Sequence, residues 1–134
     1  MMSNPSLIDI AMRALNLPRD SFSITRRPAI GHQTNRLYDV RAQGKHYIAK
    51  EYLQSGEESD CARREFDALH LLAPLDLAPQ PIFFEPARGA IVIYEFLEGE
   101  MWDRRKPAPN ELRALARAFL KLHELPTTDL WLSR

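Results

Sequence analysis

Cysteine is nearly missing from this sequence: Cys61 stands alone among 134 residues. A single thiol closes no internal disulfide, so a disulfide-stapled scaffold is excluded and a reducing, cytoplasmic setting is expected. Long apolar runs are missing too. The longest, Ala90 to Tyr94, falls far short of the roughly 20 residues that a membrane-crossing helix requires. The N-terminus lacks the basic start and apolar run of a signal peptide, and Asp9 breaks its first apolar stretch. Nor is there an excess of one charge. Lysine plus arginine and aspartate plus glutamate number 18 each, so no net field draws the chain to nucleic acid or to an anionic membrane, and neither is expected as a partner. The clusters Arg26-Arg27, Arg63-Arg64 and Arg104-Arg105-Lys106 are short, have acids nearby, and read as solvated faces. His32, His46, His70 and His123 lie without ligand spacing, and no second cysteine supports a zinc site.

What is present is an ordinary globular balance, 45% apolar and 27% charged residues, in a chain long enough for one compact core. Asn4-Pro5 reads as a helix cap and first helical residue. Leu7, Ile10, Ala11, Ala14 and Leu15 then recur at helical spacing until Pro18. From Phe22 to Leu53 the pattern shortens to that of three strands, with breaks at Pro28 to Asn35 and at the hairpin turn Ala42-Gln43-Gly44-Lys45. Ala62, Phe66, Leu69 and Ala73 form the stripe of a second helix that stops at Pro74. Pro81 to Glu85 and Ala90 to Phe96 read as two more strands. Past a loop rich in charge and proline, Asn110 is expected to cap a last helix with the stripe Leu112, Leu115, Ala116, Phe119 and Leu122. The expected fold is α+β: a five-stranded antiparallel sheet with a helix packed on it, plus an N-terminal and a C-terminal helix.

Four features bear chemistry. In the strand His46 to Tyr52, alternation sets Ile48, Lys50 and Tyr52 on one face and Tyr47, Ala49 and Glu51 on the other. Lys50 can therefore reach a phosphate, although taken alone it reads better as an edge lysine extending to solvent. Glu65 lies beside the apolar stripe of its helix, near Ala62 and Leu69, where it can face the sheet and pair with Lys50. By itself it reads as a surface ion-pair partner worth little. The loop Ile30-Gly31-His32-Gln33-Thr34-Asn35 offers a glycine for close backbone approach, and amides and side chains that can donate to a phosphate. Finally, Ile93-Tyr94-Glu95-Phe96-Leu97-Glu98-Gly99 is an apolar strand running into acid and glycine, a place where backbone groups can meet a ligand's edge.

The series carries more than its members: a glycine loop, a strand lysine, a helix glutamate, then an apolar strand into a hinge. The run Gly31, Thr34-Asn35-Arg36-Leu37-Tyr38-Asp39-Val40, Tyr47-Ile48-Ala49-Lys50, Arg64-Glu65-Phe66-Asp67-Ala68-Leu69 and Val92 to Gly99, ending at Leu120-Lys121-Leu122-His123, resembles the aminoglycoside phosphotransferase and choline kinase superfamily. That resemblance implies a protein-kinase-like N-terminal lobe over residues 1–97. Residues 98–134 would then be a hinge and the first helix of a second lobe. By the same resemblance, Lys50 would hold the α- and β-phosphates of ATP, Glu65 would form its ion pair, and Ile48 would pack on the adenine. Gly31, Gln33, Thr34 and Asn35 would cover the phosphates. Glu95 and Leu97, with Ile93 before them, would form the hinge along the adenine edge.

Such enzymes transfer the γ-phosphate of ATP to a hydroxyl of a small molecule such as an aminoglycoside, choline or thiamine. They need a catalytic aspartate, an asparagine five residues on, and a second metal-binding aspartate. After Gly99 the aspartates are Asp103 and Asp129, and neither has that asparagine. No catalytic residue is therefore expected in these residues, the Mg2+ ligands are expected in a missing C-terminal lobe, and the chain alone is expected to be a truncated, inactive nucleotide half. The stripe of the last helix, bare without that lobe, is expected to favour self-association. The alternative is a pseudokinase-like module that binds a nucleotide or a protein without catalysis; a further one is a structural domain packed on another chain.

Overall fold

The computed structural model describes residues 6–28, 35–53, 58–86, 90–99 and 106–125, with the side chains of 58–60 excepted. The chain divides into two compact units, Met1–Phe96 and Leu97–Arg134. In the first, helix α1 (Leu7–Leu15) is followed by a 3-10 turn at Arg19–Ser21. Strands β1 (Phe22–Arg26), β2 (Asn35–Ala42) and β3 (Lys45–Tyr52) come next, then helix α2 (Glu58–Leu72), a second 3-10 turn at Ala73–Leu75, and strands β4 (Pro81–Glu85) and β5 (Ile91–Glu95). The five strands form one antiparallel sheet in the order β1-β2-β3-β5-β4, the α+β architecture expected.

The sheet is covered on both faces. On one side Ile10 and Ala11 of α1 pack with Val40, Tyr47, Ala49, Ile91 and Ile93. On the other, Ala62 and Leu69 of α2 pack with Tyr52, Ala90 and Val92. This is why Tyr47, Ile48 and Ala49 are buried in succession, where strict alternation would expose every second residue. Ala62 is wholly buried; with only a methyl at that position, the α2 backbone lies close on the sheet.

Local chemistry sets the element ends. Ser6, not Asn4, caps α1: its hydroxyl accepts from the Asp9 amide at 3.3 Å and donates to the Asp9 carboxylate at 2.9 Å. Asn16 closes the helix in the left-handed conformation, φ 55°. The β2–β3 turn puts both Gln43 (φ 50°) and Gly44 (φ 79°) in that region, the geometry of a two-residue hairpin whose twist matches its strands. In β4, Ile82 and Phe83 both pack toward α1. The bulge between Pro81 and Phe83 produces this by inserting one residue into the ladder. Arg13 of α1 reaches β4, pairing with Glu85 at 2.7 Å and lying over the Phe83 ring.

The second unit contains α3 (Pro109–His123). Ala108, not Asn110, occupies its cap position: Pro109 presets the first helical angle, and Glu111 accepts the Ala108 amide at 2.7 Å. Leu112, Leu115, Phe119, Leu120 and Leu122 are exposed. Among the described residues no helix is long and apolar enough to cross a membrane.

Candidate functional site

Lys50 projects from β3, a central strand flanked by β2 and β5, so it is not an edge lysine. Its neighbours in register are Leu37 on β2 and Val92 on β5, and its side chain shares the α2 face with Tyr52. Glu65 lies three residues from Ala62 and four from Leu69, inside the stripe that packs on this face. The two side chains meet: Lys50 Nζ is 3.1 Å from Glu65 Oε1, with about a quarter of each side chain exposed (23% and 24%).

A third residue completes the group. The Tyr52 hydroxyl donates to the same Glu65 oxygen, and Lys50 Nζ lies 5.4 Å from the centroid of the Tyr52 ring. The glutamate is thus held from two sides, and the ammonium is held between a carboxylate and the face of an aromatic ring. Burial and then the Glu65 carboxylate push the Tyr52 phenol far above its ordinary value, so it stays a neutral donor. Tyr94, opposite Ile48 in register, is pushed up to about 12 by burial and then by the charge of Glu65, with Arg27 acting the other way. Its hydroxyl therefore lies within the fields of both groups. Strand alternation already put Tyr52 on the face of Lys50; that it reaches Glu65 depends on where α2 docks.

Ile48 is buried on this same face at 5% exposure. Asn35 begins β2. Gly31, Gln33 and Thr34 lie outside the described residues. Glu95 ends β5, exposed, with its amide donating to Gln80 at 3.0 Å. Leu97 is exposed and belongs to the second unit. Ile93 is wholly buried in the α1-side core with Ala49 and Ile10. Its side chain points away from Lys50, because Val92 and Tyr94, one residue to either side, take the other face. A surface pocket of about 660 Å³ lies at the end of α1, lined by Asp9, Met12, Arg13, Asn16, Leu17 and Pro18. It is on the far side of the sheet from this group.

A lysine on a central strand, clamped by a helix carboxylate yet left partly open to solvent, is suited to holding an anion. The sequence model of the phosphotransferase enzyme family matches residues 25–134. The chain belongs to that family. No curated protein and no solved structure was found to match it. As a phosphotransferase-family chain it has the kinase-like N-terminal arrangement expected from its motifs: an open antiparallel sheet, a helix on one face, and a strand lysine paired with that helix.

Proposed function

We propose that the first unit of this phosphotransferase-family chain holds the triphosphate of ATP, in an enzyme that passes the γ-phosphate to a hydroxyl of a small molecule. The observation that carries the reading is the Lys50–Glu65 pair at 3.1 Å on the α2 face. Glu65 and Tyr52 fix the ammonium, and its remaining exposure lets it meet phosphate oxygens. Phosphoryl transfer asks mainly for position and charge from the protein. Lys50 supplies charge; Glu65 and Tyr52 supply position. The apolar face of Ile48, two residues before Lys50, suits a purine. The exit of β5 at Glu95 suits its polar edge.

The ammonium fits a triphosphate. Magnesium, which the family's chemistry implies, is assigned to no described side chain. Among the described residues, no group of three or more histidines, cysteines, aspartates or glutamates comes together to hold a metal ion. An ATP thermal-shift titration tests the reading. The midpoint of the wild-type chain is expected to rise with ATP, and the rise is expected to shrink by well over half in Lys50→Ala. Equal responses in both proteins contradict the assignment.

A further inference from the structure

A second polar group lies on the α2 face, and nothing in the proposed chemistry uses it. Asp39 of β2 sits opposite Ile48. Arg27, just past β1, grips it with two parallel bonds, Nε to Oδ2 and Nη2 to Oδ1, both 2.9 Å. His46 Nε2 lies 2.6 Å from Asp39 Oδ1. With three bonds arriving on its two oxygens, the carboxylate is a closed acceptor rather than an open ligand site. The Arg27 guanidinium is the main cause holding it below the usual carboxylate range.

What this group holds is Phe96. The His46 ring stacks on the Phe96 ring, centroids 4.1 Å apart and planes 20° apart. The Arg27 guanidinium carbon lies 5.4 Å from the same ring centroid. The Phe96 amide donates to the His46 carbonyl at 3.0 Å. Phe96 is also the last residue of the first unit, so this is the point where the chain leaves the sheet. Glu95, the residue before it, is tied through its amide to Gln80.

We propose that Arg27, Asp39 and His46 form a latch that fixes Phe96, and with it the backbone at the exit of β5 against which the base of a nucleotide is set. They are positioning residues: they act through Phe96, at the base end of the site, while Lys50 acts at the phosphate end. The inference rests on the nucleotide-binding reading for its consequence, though not for the latch itself.

The test uses the full chain and two readouts. The first is hydrogen exchange at the Phe96 amide without nucleotide. Losing a charge-assisted bond in Asp39→Asn should speed it by about tenfold or more relative to core amides of β3. The second is affinity for ATP and for adenosine. Asp39→Asn should weaken both by a similar factor, whereas Lys50→Ala should weaken ATP and leave adenosine nearly unchanged. Phe96→Leu keeps apolar bulk without the stack, and repeats the test should Asp39→Asn fail to fold. Unchanged exchange at residue 96 overturns the latch, whatever the nucleotide result. Faster exchange with adenosine affinity intact overturns its role in setting the base. Wild-type protein that binds neither ligand defeats the nucleotide reading, and exchange then decides the latch alone.

Discussion

Tyr52 shows how a neutral side chain can hold two charged ones in place. Its hydroxyl occupies one side of the Glu65 oxygen that Lys50 also approaches. Removing it with Tyr52→Phe leaves the carboxylate short of a donor in a partly buried place. The expected loss is about 1.5 to 3 kcal/mol of stability, the usual range for a hydrogen bond to a charged group, read from urea denaturation. A change under a few tenths would mean the bond contributes nothing.

The same phenol makes an alkaline prediction with Tyr94. Both have folded values raised above the ordinary one near 10, so the folded state favours their protonated form. Their contribution is present in full below about pH 10, and for Tyr94 it fades as pH rises toward its folded value of about 12. Phenolate absorbance during an alkaline titration should show these two tyrosines ionising late, together with unfolding. Asp39 works at the other end of the scale. Its folded value is lowered, chiefly by Arg27, so its contribution is present above the ordinary carboxylate value near 4 and disappears as pH falls through the folded one. Asp39→Asn should flatten the acid limb of the stability curve; parallel limbs would contradict this.

At the scale of the elements, the β2–β3 hairpin carries a residue poorly suited to its turn. Gln43 adopts φ 50° ahead of Gly44 at φ 79°, where asparagine is the favoured partner of glycine. Gln43→Asn is expected to raise stability by a few tenths to about 1 kcal/mol, measured by the shift in denaturation midpoint. Helix α1 depends on packing more than on its surface pair with Glu85, whose arginine is 55% exposed. Ile10 is 2% exposed in the α1-side core, and Ile10→Ala should cost about 2 to 5 kcal/mol. A loss below 1 kcal/mol would show that α1 is not docked on this face.

Much of this level was legible from sequence. The strands announced themselves as short runs of β-branched, aromatic and apolar residues bounded by turn residues, and the α2 stripe put Glu65 beside Ala62 and Leu69. The two-residue turn also fixes register: Ala42 opposite Lys45 leads by counting to Asp39 opposite Ile48. That Asp39 and His46 are near neighbours on one face was therefore readable, and was missed. Arg27 reaching Asp39 was not readable, since residues 27–34, Arg27 among them, separate β1 from β2. Nor was the face chosen by α1, because a helix with one apolar stripe suits either side of a sheet. Helix starts were misplaced for a simple reason. Asparagine is a good cap in general, but Ser6 already serves Asp9, and Pro109 with Glu111 sets the start of α3 without a polar cap side chain.

Across the whole molecule, the first unit sets its lysine–glutamate clamp on the α2 face of the sheet. The α1 side of the sheet holds the apolar core around Ile93 with the Arg13–Glu85 and Tyr38–Glu51 pairs beside it, while the α2 side carries Lys50, Glu65, Tyr52 and Tyr94 and the group around Asp39. The clamped Lys50 is proposed to grip the phosphates of ATP on this face, a reading that draws on the family match over residues 25–134 and on the Lys50–Glu65 pair. The most direct test is a double-mutant cycle for ATP affinity by calorimetry, using Lys50→Ala, Glu65→Gln and the double variant. If Glu65 acts only by holding Lys50, its loss should weaken ATP in the wild-type background and do almost nothing once the lysine is gone, giving a coupling of about 1 kcal/mol or more. Two independent, additive losses, or ATP affinity indifferent to Lys50, would contradict the account.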